Sequence, residues 1–341
     1  MSAPSQIQTI PPPVQAMQLI TGVWASQAVY MACKLSLPDH LAAGARNAGE
    51  LAALVQAQPR PLYRLMRALT TFGVLWEDEQ GRFSLTPVGQ ALRSDAPGSL
   101  RWLALYLVEG EWEAWREALH SVRSGETAIE HVFGQPLFAH LQHRPDLQES
   151  FNKAMGGMAQ QLSAAVGAAY DFSGAGTVVD VGGGQGGLIA HLLQNNPQAS
   201  GIVFDLPHVV EGAGAGFDEN LRSRCRFVGG SFFETVPEGG DVYLMSYIIH
   251  DWDDERAVEI LKRCREAMTA GSRLLIIENV LPDAGVPSFG KLLDLEMLVI
   301  AGGQERTEEE YRRLAERSGL EVTRIIPTAS LQSIIETVRR D

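Results

Sequence analysis

The residues most able to do chemistry sit in His250-Asp251-Trp252-Asp253-Asp254, with further carboxylates at Glu278 and Glu305. An imidazole titrates near neutrality, and one held between carboxylates is oriented and made more basic, which suits abstraction of a proton from a substrate. A second signal lies upstream, where Thr177-Val178-Val179-Asp180-Val181 runs directly into Gly182-Gly183-Gly184-Gln185-Gly186-Gly187. Glycines let the backbone turn sharply and approach a ligand closely, with a helix N-terminus facing it. Gly182, Gly184 and Gly187 satisfy GxGxxG, and about twenty residues later Asp205 supplies the acid that a ribose diol needs. This pattern marks a nucleotide-bearing ligand without choosing which one, because a nicotinamide dinucleotide obeys it too. Asp251, Asp253 and Asp254 also raise the option of a Mg²⁺ site with His250. The reading adopted instead is that Asp253 and Asp254 cap a helix beginning at Glu255, with no metal in the site.

Such groups need a scaffold that brings strand ends together. From residue 177 onward, short β-branched runs at 177–181, 201–204, 225–228, 241–249 and 274–280 alternate with helical stretches. That texture predicts buried parallel strands in a doubly wound α/β sheet, whose C-terminal strand ends rim a ligand crevice. The glycines follow the first of these strands, Asp205 ends the second and His250 ends the fourth. Glu278 lies near the end of the fifth and Glu305 heads the next helix. Thr307 and Glu310 form a capping box for a helix that Gly319 ends, and runs at 320–327 and 330–338 read as a closing antiparallel pair. An antiparallel last strand separates this sheet from an all-parallel dinucleotide fold.

The N-terminal part reads differently. Pro11-Pro12-Pro13 closes an extended arm over residues 1–13, and a helix apolar nearly all round runs over 14–37, which requires burial, as against a second copy of the chain. Short helices over 41–71, broken at Gly44 and Gln58-Pro59, precede a hairpin over 73–85, a winged-helix pattern. Residues 100–170 are helical and aromatic, and the domain boundary is placed near residue 160, giving 1–160 as a helical winged-helix-like domain and 161–341 as the Rossmann-like domain.

With 341 residues, 45% hydrophobic and 20% charged, the chain suits two folded domains. A net charge of -13 disfavours nucleic acid and so a winged-helix regulator, despite Arg60, Arg64 and Arg67 on one helix. Cys33, Cys225 and Cys264 are too few and too dispersed for a disulfide framework or a CxxC site, which fits a reducing cytoplasm. No signal peptide and no membrane-length apolar run is apparent, so no membrane partner is expected.

Over nearly its whole length the sequence resembles the dimeric O-methyltransferases of plant phenylpropanoid and bacterial natural-product pathways. The resemblance rests on Val179-Asp180-Val181-Gly182-Gly183-Gly184, Phe204-Asp205-Leu206-Pro207, Gly230-Ser231-Phe232-Phe233, His250-Asp251-Trp252, Glu278 followed by Leu281-Pro282, and Gly302-Gly303-Gln304-Glu305-Arg306-Thr307. It implies a class I S-adenosylmethionine (SAM) methyltransferase sheet with an N-terminal dimerisation domain, a homodimer, and SAM as cofactor. By the resemblance Asp180, Gly182, Gly184, Asp205, Leu206, Ser231, Phe232 and Ser246 hold the cofactor, His250 is the base, and Glu278 and Glu305 bracket it. Met155, within Phe151-Asn152-Lys153-Ala154-Met155, and Asp251 would contact the acceptor, a small aromatic bearing a hydroxyl. Ser231 stands where members often carry Asp, and Ser246 where plant members carry Lys, which weakens both adenine-side contacts and marks the chain as bacterial in type. N- or C-methylation uses the same motifs and is the alternative outcome; an NAD dehydrogenase is the more distant one.

Overall fold

The computed structural model describes residues 10–340 and forms two compact units, one of residues up to 110 with 149–155 and one of 111–148 with those from 156 onward. The expected N-terminal arm falls largely on residues 1–9, outside the described ones. Pro12 and Pro13 open a helix rather than closing an arm, because the fixed φ of proline suits the first helical turn, where its missing N–H costs nothing. Helices over 111–148, assigned from sequence to the N-terminal domain, cluster with the second unit, where Trp112–Arg116, Ala118–Ser124 and Ala128–Phe133 pack on the π-helical turn Met297–Ala301.

In the first unit, the apolar stretch expected as one helix is two, Pro12–Ile20 and Gly22–Lys34, parted at Thr21, whose Oγ1 donates to the Met17 carbonyl at 2.8 Å. Only the second half of this stretch is buried: Ala28, Ala32 and Cys33 join Leu51, Met66, Leu69 and Phe83 in the unit's core. Upstream, Leu19 is 83% and Trp24 69% exposed in the single chain. The helices Ala48–Leu54, opened by an Asn47/Glu50 capping box, and Pro59–Thr71 lead into a small antiparallel sheet. Its strands, β1 (Arg46–Asn47), β2 (Leu75–Glu77) and β3 (Arg82–Leu85), lie in the order β1-β3-β2, so helix, helix, hairpin holds.

The second unit is built on a seven-stranded sheet. Its strands are β4 (Thr177–Val181), β5 (Ser200–Asp205), β6 (Cys225–Gly229), β7 (Val242–Ser246), β8 (Arg273–Glu278), β11 (Leu320–Pro327) and β12 (Ser333–Arg339), in the order β11-β12-β8-β7-β4-β5-β6. Between β8 and β11 in the chain, β9 (Val280–Leu281) and β10 (Arg306–Thr307) form a separate parallel pair. β4 to β8 run parallel, while β12 is antiparallel to both β8 and β11. Both faces of the sheet are covered, so its central strands are mostly apolar: Val179 and Val181 pack with Ile260 and Leu261 on one side, and Val178 with Ile189 and Leu192 on the other. Because β4, β5, β7 and β8 are neighbouring parallel strands, the residues at their C-terminal ends share one edge of the sheet. No described helix is long and apolar enough to cross a membrane.

Candidate active site

The glycine loop leaves β4 with Gly182 at φ +74° and Gly184 at φ +56°, left-handed values that L side chains rarely adopt. Gly182 N–H donates to the Phe204 carbonyl at 2.8 Å, holding the loop against β5. A Cβ on Gly182 would collide with the side chain of Ile248, whereas one on Gly184 would meet no atom within 4 Å. The loop backbone is thus pressed on one side against the segment that carries His250. Helix Gly187–Asn195 begins directly after it.

Asp205 ends β5, and its two oxygens accept separate backbone donors, Oδ2 from Gly184 N–H at 2.8 Å and Oδ1 from Leu206 N–H at 2.7 Å. The carboxylate is therefore aimed across the glycine loop. Asp180, inside β4 and 2% exposed, has its pKa pushed up to about 7 by burial, with repulsion from Asp205 adding to it. Leu206 is exposed at the start of helix Pro207–Val210. Ser231 Oγ accepts from Phe233 N–H at 3.3 Å, and Phe232 lies edge-on to Trp252 beside Gly182. Ser246 closes β7. A carboxylate, a backbone-lined glycine turn and a half-buried aromatic ring on one sheet edge fit a ligand that offers ribose hydroxyls and a flat base.

The fourth strand was expected to run to residue 249, but it stops at Ser246. Tyr247 takes φ +55°, and Ile249–Asp251 form one 3₁₀ turn. The cause is Glu278: its Oε1 accepts the N–H groups of Ile248 and Ile249, each at 2.9 Å, and that of His250 at 3.4 Å, so a side chain replaces a strand as acceptor. His250 is thereby turned into the site rather than along the sheet.

His250 is 7% exposed. Its Nδ1 lies 2.9 Å from Glu305 Oε1 and 3.7 Å from Glu278 Oε2, and its Nε2 lies 3.5 Å from Asp251 Oδ1. Burial alone would depress the His250 pKa, but the charge of Glu278, the hydrogen bond to Glu305 and the charge of Asp251 overcome it and lift it to about 10. Burial also lifts Glu278, to about 7, against the pull of the imidazolium. Asp251 is raised by the same desolvation.

One atom each of His250, Glu278 and Glu305 lie within 4.8 Å of one another, a spacing a metal ion also tolerates. Glu278 Oε1 and Glu305 Oε1 are engaged already, by backbone N–H groups and by the imidazole. Asp253 and Asp254 are not gathered with His250: Asp253 caps helix Asp254–Ala267 through Arg256 N–H, and Asp254 pairs with Arg306. Met155, in the other unit, is exposed on helix Pro145–Ala169.

Several residues at the site carry no role in the sequence reading. Arg306 is fully buried and bonds backbone on both sides of His250, and Asp294 Oδ1 accepts Glu305 N–H at 2.9 Å. Tyr247 packs its ring 5.6 Å from the imidazole. The doublet Gly302-Gly303 was a signal for Gly303, whose Cβ would run into the His250 carbonyl oxygen; nothing local marked Asp294.

Comparison with known proteins agrees with this geometry. An O-methyltransferase domain model matches residues 114–321 and an O-methyltransferase dimerisation domain model matches residues 17–95. A phenazine O-methyltransferase of Lysobacter antibioticus is 45% identical over 94% of each chain, and a phenazine-1-carboxylate N-methyltransferase of Pseudomonas aeruginosa is 34% identical over 91% of this chain and 92% of its own. Among solved structures, a methyltransferase of calicheamicin biosynthesis, crystallised with S-adenosylhomocysteine, superposes with a TM-score of 0.89 at 31% identity, covering 97% of this chain and all of that one. The family match and the S-adenosylhomocysteine of that neighbour resolve the choice the glycine spacing left open, in favour of SAM over a nicotinamide dinucleotide. With both of its domains matched and its sheet, closing strand and glycine loop in place, the chain belongs to the SAM-dependent O-methyltransferase family.

Proposed function

We propose that this enzyme methylates the hydroxyl of a small aromatic acceptor, with His250 as the proton acceptor, no metal, and a homodimer as the working form. The observation that supports it most is the His250–Glu305 pair at 2.9 Å, two residues beyond the Ile248 side chain that packs on Gly182. With Nδ1 tied to Glu305, Nε2 is the nitrogen left to meet an acceptor hydroxyl.

Bound SAM supplies an electrophilic methyl group on a positively charged sulfur. Asp205 would hold the ribose hydroxyls and the Gly182–Gly184 backbone the methionine end, with Asp180 behind the loop, Phe232 against the adenine, and Leu206, Ser231 and Ser246 around it. Met155 and Asp251 would touch the acceptor. A phenol with a pKa near 10 is mostly neutral at pH 7, and its phenolate is the better nucleophile. Once it has lost its own proton, an imidazole whose proton affinity matches that of the phenol takes the phenolic proton at little cost in energy. Neutral imidazole with phenol and imidazolium with phenolate contain the same protons, so the raised pKa also stabilises the ionised acceptor once it is bound. Proximity of acceptor oxygen and methyl supplies the rest of the barrier reduction.

The Lysobacter relative makes a hydroxyphenazine the first acceptor to try. Incubation with methyl-labelled SAM, followed by mass spectrometry and NMR of the product, should show an O-methyl ether. An N-methyl product would support the second reading, to which the Pseudomonas relative's name points. A ring nitrogen with a free lone pair has no proton to lose, so that reaction should survive His250→Ala.

A further inference from the structure

We infer that Arg306 is a positioning residue for the proton-transfer pair, fixing the backbone on both sides of His250 so that the imidazole stays in register with Glu305. The inference rests on the proposed role of His250 as base. Arg306 is 1% exposed. Its Nη1 donates to the Ile249 carbonyl at 3.0 Å and its Nη2 to the Trp252 carbonyl at 2.7 Å, so one guanidinium spans the turn that holds His250. Nε donates to Asp254 Oδ1 at 3.0 Å, which balances the buried charge, and Gln304 Nε2 reaches the same oxygen at 2.9 Å.

The neighbours of Arg306 complete the clamp. Gln304 N–H donates to the His250 carbonyl at 2.8 Å, and Gly303 lies so close to that carbonyl that only glycine fits. Glu305 stands between Gln304 and Arg306, its own N–H held by Asp294. β10 then ties Arg306 to Val280 in β9, two residues past Glu278. The segment that presents the carboxylate therefore grips the peptide carbonyls of residues 249, 250 and 252, and the Nδ1 to Oε1 distance is set by backbone contacts rather than by two mobile side chains. A planar fork with five donors spans two carbonyls and a carboxylate at once; a lysine ammonium has no such reach.

Arg306→Lys separates positioning from mere stapling. It keeps the cation at residue 306 and leaves the charged and titratable groups facing the imidazole, namely Asp251, Tyr247, Glu278 and Glu305, unchanged. The looser clamp should lower kcat about tenfold to a hundredfold, the scale of a small misplacement at a reacting pair. SAM affinity should hold, and the rising limb of the pH–rate profile should move to lower pH as the Glu305 bond weakens. The downfield Nδ1–H proton resonance of His250 should move upfield or be lost to exchange. Asp254→Asn, at the exposed end of the network, provides a variant expected to fold, with smaller changes in the same direction.

An unchanged pH limb and kcat in both variants would overturn the inference, as would a loss of activity uniform across pH that tracks loss of folded protein. Should His250→Ala itself stay active, the base assignment fails. The Nδ1–H resonance still decides the clamp in that case, because it reports the bond to Glu305 whether or not His250 takes a proton.

Discussion

Nδ1 of His250 and Oε1 of Glu305 lie 2.9 Å apart in a setting where neither faces bulk water, which directs the second imidazole nitrogen, Nε2, outward towards Asp251. Glu305 thus chooses the tautomer and Glu278 shapes the turn, so the two carboxylates that bracket His250 do different work. One holds the ring; the other holds the backbone under it.

His250→Ala is expected to lower kcat for a phenolic acceptor by about 10²-fold to 10⁴-fold at pH 7, the usual worth of general base catalysis. SAM affinity by calorimetry should barely change, since the imidazole is bonded to carboxylates of the chain rather than to the glycine loop. The defect should shrink as pH approaches the acceptor's own pKa, where phenolate forms unaided. Full activity at pH 7 with a phenolic acceptor would leave proximity alone as the source of catalysis.

The parts of this arrangement readable from sequence were those with local signatures. β-branched runs marked the strands, the glycine doublets marked a turn with positive φ, and Thr307 with Glu310 marked a capping box that the structure contains. What escaped depended on partners far along the chain. β7 was overextended to residue 249 because its early stop is imposed by Glu278, about thirty residues on, and no pattern within 241–249 encodes that. The break at Thr21 was missed because threonine in an apolar run carries no strong stop signal, and helices in 111–148 were grouped by proximity in sequence rather than by their packing on Met297–Ala301. Arg306 stands in a motif that carries the resemblance, but its role depends on acceptors at Ile249, Trp252 and Asp254, some fifty residues upstream, which no local pattern encodes.

Asp205→Ala should weaken SAM binding by roughly 2 kcal/mol or more, the scale of a lost charged hydrogen-bond pair. The substitution also frees Gly184 N–H from its tether, so the loop loses order as well as a ligand contact. Asp205→Asn should recover part of the affinity, because an amide oxygen still accepts from Gly184. Titration calorimetry that finds both variants binding SAM as the wild type does would remove Asp205 from the cofactor site.

Light scattering at micromolar concentration is expected to give twice the chain mass of 37.1 kDa. Leu19, Ile20 and Trp24 are exposed in the single chain, on helices within the matched dimerisation domain, and large apolar side chains in such a row call for cover. Trp24→Asp should shift the mass towards the monomer without altering the fold of the second unit, seen as unchanged SAM affinity. A wild-type monomer at that concentration would count against the dimer.

The pH dependence provides the most discriminating test, because the carboxylates around His250 predict its direction. A base must be neutral to act, and burial opposed by Glu278, Glu305 and Asp251 puts the His250 pKa at about 10. For an acceptor that stays un-ionised over the range, the rate should therefore rise with pH through neutrality and level off only as the imidazole loses its proton. The sulfonium of bound SAM adds a positive charge to the site, so the limb seen in kcat should lie below pH 10. Glu278→Gln removes the largest charge raising that pKa, while its amide oxygen still accepts the N–H groups of Ile248 and Ile249. The rising limb should then move to lower pH by about one unit or more, as expected on losing an opposite charge at this range. The variant should lose part of its plateau rate, because a less basic imidazole drives the transfer less strongly. A limb that stays in place, or moves to higher pH, would show that Glu278 acts on the backbone turn alone and that the charge governing His250 lies with Glu305 and Asp251.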